Sequence, residues 1–417
     1  MPSRAKTPRA KTPRAKTRPG GRSGGIPRGI ATDGVALLSY GFRPFFLGAG
    51  VFAVLAMGLW IGALGFGWEV GGLRYGALYW HAHEMLFGYT VAALAGFMLT
   101  AIPNWTGRLP VSGPPLLALA LLWLAGRVVM LAPELFGLYP AAAIEATFVP
   151  ALALIAGREI IAGRNWKNLK ILGALALLSG CNIGFHLLVL TGGEPMVLFR
   201  AATAVFIALI ALVGGRIVPS FTRNWLSRTG ETMLPAPFGH VDRWAIVALL
   251  AALLAWTLWP DRPVTAIAAG TAAVLQLWRL LRWRGRRTLR EPLLVVLHFA
   301  YGFIPLGMAA IALAALGWIS APSALHILTV GAIGNMTLAV MMRATLGHTG
   351  RKLTASVTSC LASLAMFTAA MVRPFAELMP DYYHPVLMVS GGAWILAFGL
   401  FSAEYGRFLV TPKKAAM

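Results

Sequence analysis

The stretch YWHAHEMLFGYTVAALAGFMLTAIPNWTGR, residues Tyr79–Arg108, begins with two histidines and a glutamate and then becomes almost wholly apolar. Its apolar part is long enough to cross the core of a bilayer as a helix, which takes about 20 residues. His81, His83 and Glu84 stand where that part begins, and ionisable side chains are costly inside a membrane. The stretch therefore predicts a membrane helix that carries candidate functional groups at one end.

The whole chain has the composition of a membrane protein. Of its 417 residues, 58% are hydrophobic and 12% are charged, whereas soluble domains carry about 25% charged residues. Apolar runs of bilayer-spanning length recur along the chain, so we predict an all-α polytopic membrane protein. The twelve predicted spans are 46–66, 84–102, 115–132, 140–161, 169–190, 196–218, 244–259, 264–282, 293–316, 322–342, 353–372 and 385–404. The seventh span is the shortest of them.

Basic residues support this count of spans. Of the 36 Lys and Arg, 31 lie in the tail, the even-numbered loops or the C-terminus. Cytoplasmic loops of membrane proteins carry such an excess. We therefore predict an even number of spans, with both termini in the cytoplasm.

The chain begins with a basic repeat, in which RAKTP recurs every five residues. Regular proline and unopposed positive charge preclude a packed core, so residues 1–35 are expected to be a disordered cytoplasmic tail and 36–410 a single membrane domain. The net charge of +22 lies largely in such polar segments, which favours the lipid bilayer rather than nucleic acid as partner. Cys181 and Cys360 are the only cysteines, which excludes a Cys-rich zinc site and covalent haem attachment.

Histidines recur at one depth of the predicted bilayer. His81 and His83 start the second span, His186 lies one turn inside the fifth span, and His326 lies one turn inside the tenth; all are near the predicted outer face. His298 lies in the inner third of the ninth span. Imidazole commonly binds haem iron and copper, so we expect these histidines to bind a metal or haem. The alternative is a set of hydrogen-bonded interior histidines.

Spacing separates the two histidines of the opening stretch. On a regular helix His81 and His83 point about 200° apart, so they cannot both bind one metal unless the helix start is unwound. Glu84 is a candidate to accept the free N–H of a ligating histidine, or to be a carboxylate that a helix N-terminus favours. Asn182 lies one turn before His186 and is a second candidate for orienting a ligand.

Two further groups of charges stand out. Arg127 and Glu145 lie at comparable distances from the loop that joins the third and fourth spans, and we expect them to form a structural ion pair; the alternative is a proton or ion relay. Arg343, His348 and Arg351, in MMRATLGHTGRKL, form a basic inner end of the tenth span. They either anchor that end by charge or bind an anion, a haem propionate or a lipid.

Five segments together resemble the NnrS family. They occur in the family's order between about Gly41 and the C-terminus, and the basic tail is an addition. The segments are SYGFRPFFLGAG, WHAHEMLFGY, AGFMLTAIPNWTGRLPVSG, RIVPSFTRNWL and RATLGHTGRKL. His81, His83 and Glu84 match the second segment, and His348 and Arg351 match the last.

This resemblance implies a function. NnrS proteins are bacterial inner-membrane proteins of about twelve spans that contain haem and copper and are linked to nitric oxide and nitrosative stress, often beside denitrification genes. It implies a b-type haem, a copper site, nitric oxide and an unidentified electron donor as partners, and leaves open a nitric oxide-linked oxidoreductase activity.

The residues that we expect to hold these cofactors follow from the positions of the histidines. We expect His83, His186 and His326 as ligands, followed by His81 and then His298. Glu84 and Asn182 would orient them. The alternative is a transporter or metal-handling permease in which the same histidines line a pathway.

Overall fold

The computed structural model describes residues 34–413, and over that range the chain is helical without a β-strand. Twelve of its helices are long and apolar enough to cross a membrane. All twelve predicted spans are therefore confirmed, and the chain is a multi-pass membrane protein. Nearly all of the predicted basic tail lies outside the described residues. Helices α1 to α12 span Phe42–Phe66, Gly72–Thr106, Pro114–Leu131, Leu138–Ala162, Trp166–Thr191, Met196–Arg228, His240–Leu258, Pro263–Leu281, Pro292–Ala315, Ala321–His348, Val357–Leu378 and Pro380–Val410.

Glycine and proline set several helix ends. Helix α1 is followed by Gly67, whose φ of 68° belongs to the left-handed region that glycine adopts without steric cost. The N–H of Trp68 then donates to the carbonyl of Gly62 at 3.2 Å, which closes the last turn. Helix α3 begins at Pro114, where the missing N–H has no partner to lose.

Alternating crossings place the odd-numbered connections on one face of the bundle and the even-numbered connections on the other. We call these the odd face and the even face. Polar contacts agree with this assignment. Arg43, at the start of α1, donates to the carbonyls of Leu409 and Thr411 at 2.7 Å, so both ends of the bundle's chain meet at the even face. Arg74 donates to the carbonyl of Leu190 on the odd face.

Helix α1 packs against α2 and α12. The indole N–H of Trp394 in α12 donates to the carbonyl of Ala53 in α1 at 3.1 Å. Helices α7, α8 and α9 pack on one another in chain order. Large apolar side chains such as Leu154 and Ile267 are exposed, as expected for a surface that faces lipid.

Three helices contain a stretch of π-helix, a wider turn that is often found at functional sites. The stretches are Glu84–Thr90 in α2, Ile210–Gly214 in α6 and Ile327–Gly334 in α10. The first begins directly after His83 and the third directly after His326. Two of the predicted ligand positions therefore stand where a regular helix gives way to a wider one.

Candidate metal centre

Helix α2 bends before it reaches its histidines. Gly76 has φ 64° and ψ 165°, a conformation that is open to glycine and rarely to other residues. The bend separates the first turn, which carries Tyr75, from the stretch that carries His83. Tyr75 is buried, and its hydroxyl lies 2.8 Å from Nδ1 of His186 in α5.

The π stretch that follows His83 frees backbone carbonyls that a regular helix would use. The hydroxyl of Thr90 donates to the carbonyl of Met85 at 2.7 Å. The indole N–H of Trp123 in α3 donates to the carbonyl of Gly88 at 2.9 Å. Buried carbonyls need such partners, so the wide turn is stabilised from within and by the neighbouring helix.

Beside this turn lie His83, Glu145 and His186, which we call the histidine–carboxylate centre. Each offers one ligand atom, and these atoms lie within 4.8 Å of one another. Nε2 of His186 lies 2.8 Å from Oε2 of Glu145, and Nε2 of His83 lies 3.3 Å from the same oxygen. All three side chains are almost completely buried. Helices α2, α4 and α5 thus direct two imidazoles at one carboxylate oxygen.

Further polar groups fix the two imidazole rings. Nδ1 of His83 lies 2.8 Å from Oε1 of Glu84, while Nδ1 of His186 faces the Tyr75 hydroxyl. Asn182 places its Oδ1 2.9 Å from Nε2 of His83 and donates through Nδ2 to Glu145 at 2.8 Å. Metal-binding histidines commonly have their second nitrogen held in this way.

Arg127 of α3 joins the two carboxylates of the centre. Its guanidinium donates to Oε2 of Glu84 and to Oε1 of Glu145, and it is 4% exposed. Charges this deeply buried are stable only when they are paired and hydrogen-bonded. One arginine and two glutamates leave a net charge of −1 when both histidines are neutral. The centre therefore needs one more positive charge.

The position of His83 shows where that charge belongs. Its Nδ1 faces an oxygen of Glu84, and its Nε2 faces oxygens of Asn182 and Glu145. A neutral imidazole has only one N–H, so one nitrogen would point a lone pair at oxygen. A second proton or a bound metal ion at Nε2 removes that conflict.

The other predicted histidines lie elsewhere. The ring of His81 stacks on Trp60, with 4.3 Å between centroids, and its Nδ1 is buried without a hydrogen-bond partner. Nδ1 of His326 lies 2.7 Å from the carbonyl of Pro322, and His326 is within electrostatic range of His81. His298 is on the even-face half of α9, where its Nε2 lies 2.9 Å from the hydroxyl of Thr222.

Several sequence predictions meet this geometry. The Arg127–Glu145 ion pair is confirmed, and His81 and His83 do point to different neighbours. Glu84 and Asn182 contact His83 as expected of orienting groups. The structure brings His83 and His186 together but not His326, His81 or His298, whose ligand roles stay predictions.

Sequence reasoning missed two members of the site. Glu145 was predicted only as the partner of Arg127, although its depth, matching that of His186, was a usable signal. Tyr75 gave no signal, because the bend at Gly76 brings it to His186.

The basic inner segment lies at the even face. The guanidinium of Arg343 lies over the ring of Phe221 at 4.4 Å, and that of Arg351 lies over Phe408 at 4.0 Å. Burial, followed by the charge of Arg407, lowers the pKa of Arg351. The predicted roles of this segment in anchoring or anion binding stay predictions.

Comparison with known proteins gives one assignment. A search of curated proteins found no significant match to this chain. The family model described as NnrS protein matches residues 36–413, which is nearly the whole chain. It thus covers all twelve helices and every residue of the histidine–carboxylate centre, and the chain belongs to the NnrS family.

Proposed function

We propose that this protein holds one copper ion in the histidine–carboxylate centre and uses it in the cellular response to nitric oxide. The observation that carries the metal site is the convergence of two imidazole nitrogens on one oxygen of Glu145. The link to nitric oxide rests on the resemblance to the NnrS family. Both termini would be cytoplasmic in the bacterial inner membrane, which places the centre towards the periplasmic side.

The donor set suits copper on two counts. Imidazole nitrogen and carboxylate oxygen bind copper more tightly than other divalent first-row metals. That order applies to divalent copper; after one-electron reduction, the monovalent ion in place of the extra proton brings the buried charges of Arg127, Glu84 and Glu145 to neutrality. Only a small shift is required, because the ligand atoms already lie within 4.8 Å of one another.

A haem does not fit the same residues. The ring of His83 is packed against Phe185, with 4.8 Å between centroids, and against His186, with 5.0 Å between centroids. Phe87 lies 5.2 Å away on another side. A macrocycle cannot enter between rings at these separations, so His83 and His186 do not hold haem as they stand. We assign no step to haem.

When bound, copper supplies one-electron exchange and a position at which nitric oxide can bind. The protein's own residues prepare that position. Arg127 holds Glu145 so that one oxygen faces both histidines, and Glu84 and Tyr75 fix the rings through Nδ1. Phe87 and Phe185 exclude water, which strengthens the electrostatic interactions inside the centre.

Two alternatives have specific consequences. Two histidines and one carboxylate also form the usual site of non-haem iron, so iron is the second candidate for the metal. A permease would need its histidines along a pathway. However, His83 and His186 are buried, and neither lines the cavity of about 1350 Å³ or the two smaller cavities described among residues 34–413.

The experiment is metal analysis of the purified full-length protein and of single histidine variants. We expect about one copper per chain, lost in His83→Ala and His186→Ala and kept in His298→Ala, which removes a histidine from the other face. An absorption spectrum of the same samples reports any haem. One equivalent of iron per chain would identify iron, the second candidate, as the metal. Retention of metal by both His83→Ala and His186→Ala would refute the site.

A further inference from the structure

The largest of the described cavities has about 1350 Å³ and is separate from the histidine–carboxylate centre. Along α6 its wall runs from Ala201 to Phe221, which is about 30 Å at the helical rise. That length matches the hydrocarbon core of a bilayer. Leu177 and Leu254 line the cavity and are 62% and 60% exposed, so it opens sideways to the lipid.

Cations are concentrated at one end of this cavity. Lys170, Arg216 and Arg343 line it near the even face, and no aspartate or glutamate is among its lining residues. Lys170 and Arg216 are exposed, and neither forms an ion pair with a carboxylate among residues 34–413. The even face is the one where the basic residues of the sequence predict cytoplasm.

We propose that this cavity is a binding site for an anionic membrane phospholipid. Its phosphate would lie between Lys170, Arg216 and Arg343, and its acyl chains would follow the apolar wall of α5 and α6. Basic pockets between membrane helices on the cytoplasmic side bind anionic head groups in this way. The site does not depend on the metal centre, because the two share no residue.

The shape favours a lipid over haem as the occupant. A haem pocket encloses a compact macrocycle, whereas this cavity is as long as the bilayer core and open to it. Gly173 shows the space along the wall: it lines the cavity, and a Cβ at this position would meet no atom within 4 Å. The free volume therefore lies where acyl chains of the bilayer can enter.

Charge removal tests the head-group end. Lys170→Gln/Arg216→Gln is compared with Arg164→Gln/Lys167→Gln, which removes the same charge from exposed positions of the even face outside the cavity. Full-length protein is reconstituted with spin-labelled phosphatidylglycerol or phosphatidylcholine, and EPR measures the immobilised fraction. The wild type should immobilise phosphatidylglycerol in preference to phosphatidylcholine. In the cavity variant this preference should fall by about tenfold. The control pair should keep it.

Filling the wall next to the proposed phosphate position, one turn from Lys170, tests whether the lipid enters there, without a change of charge. Gly173→Leu should displace the immobilised lipid, while Gly173→Ala should leave it in place. Leucine has a higher helix propensity than glycine, so this variant is not expected to unfold. Copper content should stay at the wild-type level in every variant, which keeps this test distinct from that of the metal centre.

The outcomes divide cleanly. Loss of the lipid preference in the cavity variants alone supports the proposal. An equal loss in the Arg164→Gln/Lys167→Gln control would show a general effect of surface charge and overturn it. An unchanged lipid preference in both cavity variants would also overturn the proposal. A Soret absorption that is present in the wild type and lost in the cavity variants would overturn it too, because haem would then be the occupant.

Discussion

Nε2 of His186 lies 2.8 Å from Oε2 of Glu145. Both side chains are buried in the half of the bundle next to the odd face. The same oxygen accepts from the amide of Asn182 at 2.8 Å. The other oxygen of this carboxylate is held by Arg127. Glu145 is therefore the residue on which helices α3, α4 and α5 converge, and its charge keeps these contacts together.

Glu145→Gln is expected to remove the metal and to destabilise the fold. The amide cannot accept from Arg127, Asn182 and His186 as the carboxylate does, and a buried donor left without an acceptor costs about 1–3 kcal/mol. Metal analysis and thermal unfolding of the purified protein measure the two effects. Glu159→Gln is the control, since Glu159 pairs with the partly exposed Arg108 at the even face. A variant that keeps both copper and stability would show that Glu145 is not a ligand.

Arg127 and Glu84 should behave as a coupled pair. Arg127→Gln leaves two buried carboxylates without their cation, and Glu84→Gln removes one of these carboxylates. The double variant should therefore cost less than the sum of the single variants, by about 0.5–3 kcal/mol for residues in one network. Unfolding of all four proteins measures this coupling. Strict additivity would contradict the charge balance that we describe for the centre.

Tyr75→Phe tests the group that orients His186. The change removes the hydroxyl at 2.8 Å from Nδ1 and leaves the ring in place. Loss of such an orienting partner lowers metal affinity by about 10–100-fold, which competition with a copper chelator measures. Tyr89→Phe is the matched control, because that hydroxyl contacts Thr337 and lies outside the centre. Equal affinities in the two variants would exclude an orienting role for Tyr75.

Glu291, just before α9, gives the protein a dependence of stability on pH. Burial raises its pKa above the usual 4.5, against the charge of Arg343 and a hydrogen bond from Leu293. The folded state thus binds this proton more tightly than the unfolded state. Its contribution to stability is present at low pH and is lost as pH rises through the raised pKa.

Glu291→Gln should therefore be more stable than wild type at neutral pH, and the difference should shrink as the solution becomes acidic. Thermal unfolding across the acid range measures it. Glu69→Gln, at an exposed position, should follow the wild type at every pH. If Glu291→Gln were less stable than the wild type at neutral pH, burial would not destabilise the charged form of Glu291.

The fold could be predicted because each bilayer-spanning helix needs a long apolar segment, and each such segment is continuous in the sequence. Helix ends were less accurate where helices extend beyond the apolar core. Helix α6, for example, continues from 218 to Arg228, through turns that contain polar residues and therefore give no hydropathy signal. Hydropathy cannot follow a helix out of the membrane.

Only half of the site could be predicted from the sequence, for a related reason. The depth of His83 and His186 could be read from the sequence, and so could the pairing of Arg127 with Glu145. Which residues share one centre depends on helix rotation and on irregular turns. The bend at Gly76 and the π stretch after His83 set these rotations, and neither has a signature in hydrophobic periodicity.

The order of the contacts along the chain has a consequence for biosynthesis. Glu84, Arg127, Glu145 and His186 come from α2 to α5, so the whole centre can assemble before the ribosome has translated the second half of the protein. Arg43 must wait until the final helix is made, because its acceptors are Leu409 and Thr411. The proposed metal centre is thus complete within the first half of the chain, whereas the contacts of Arg43 close the bundle only once α12 is present.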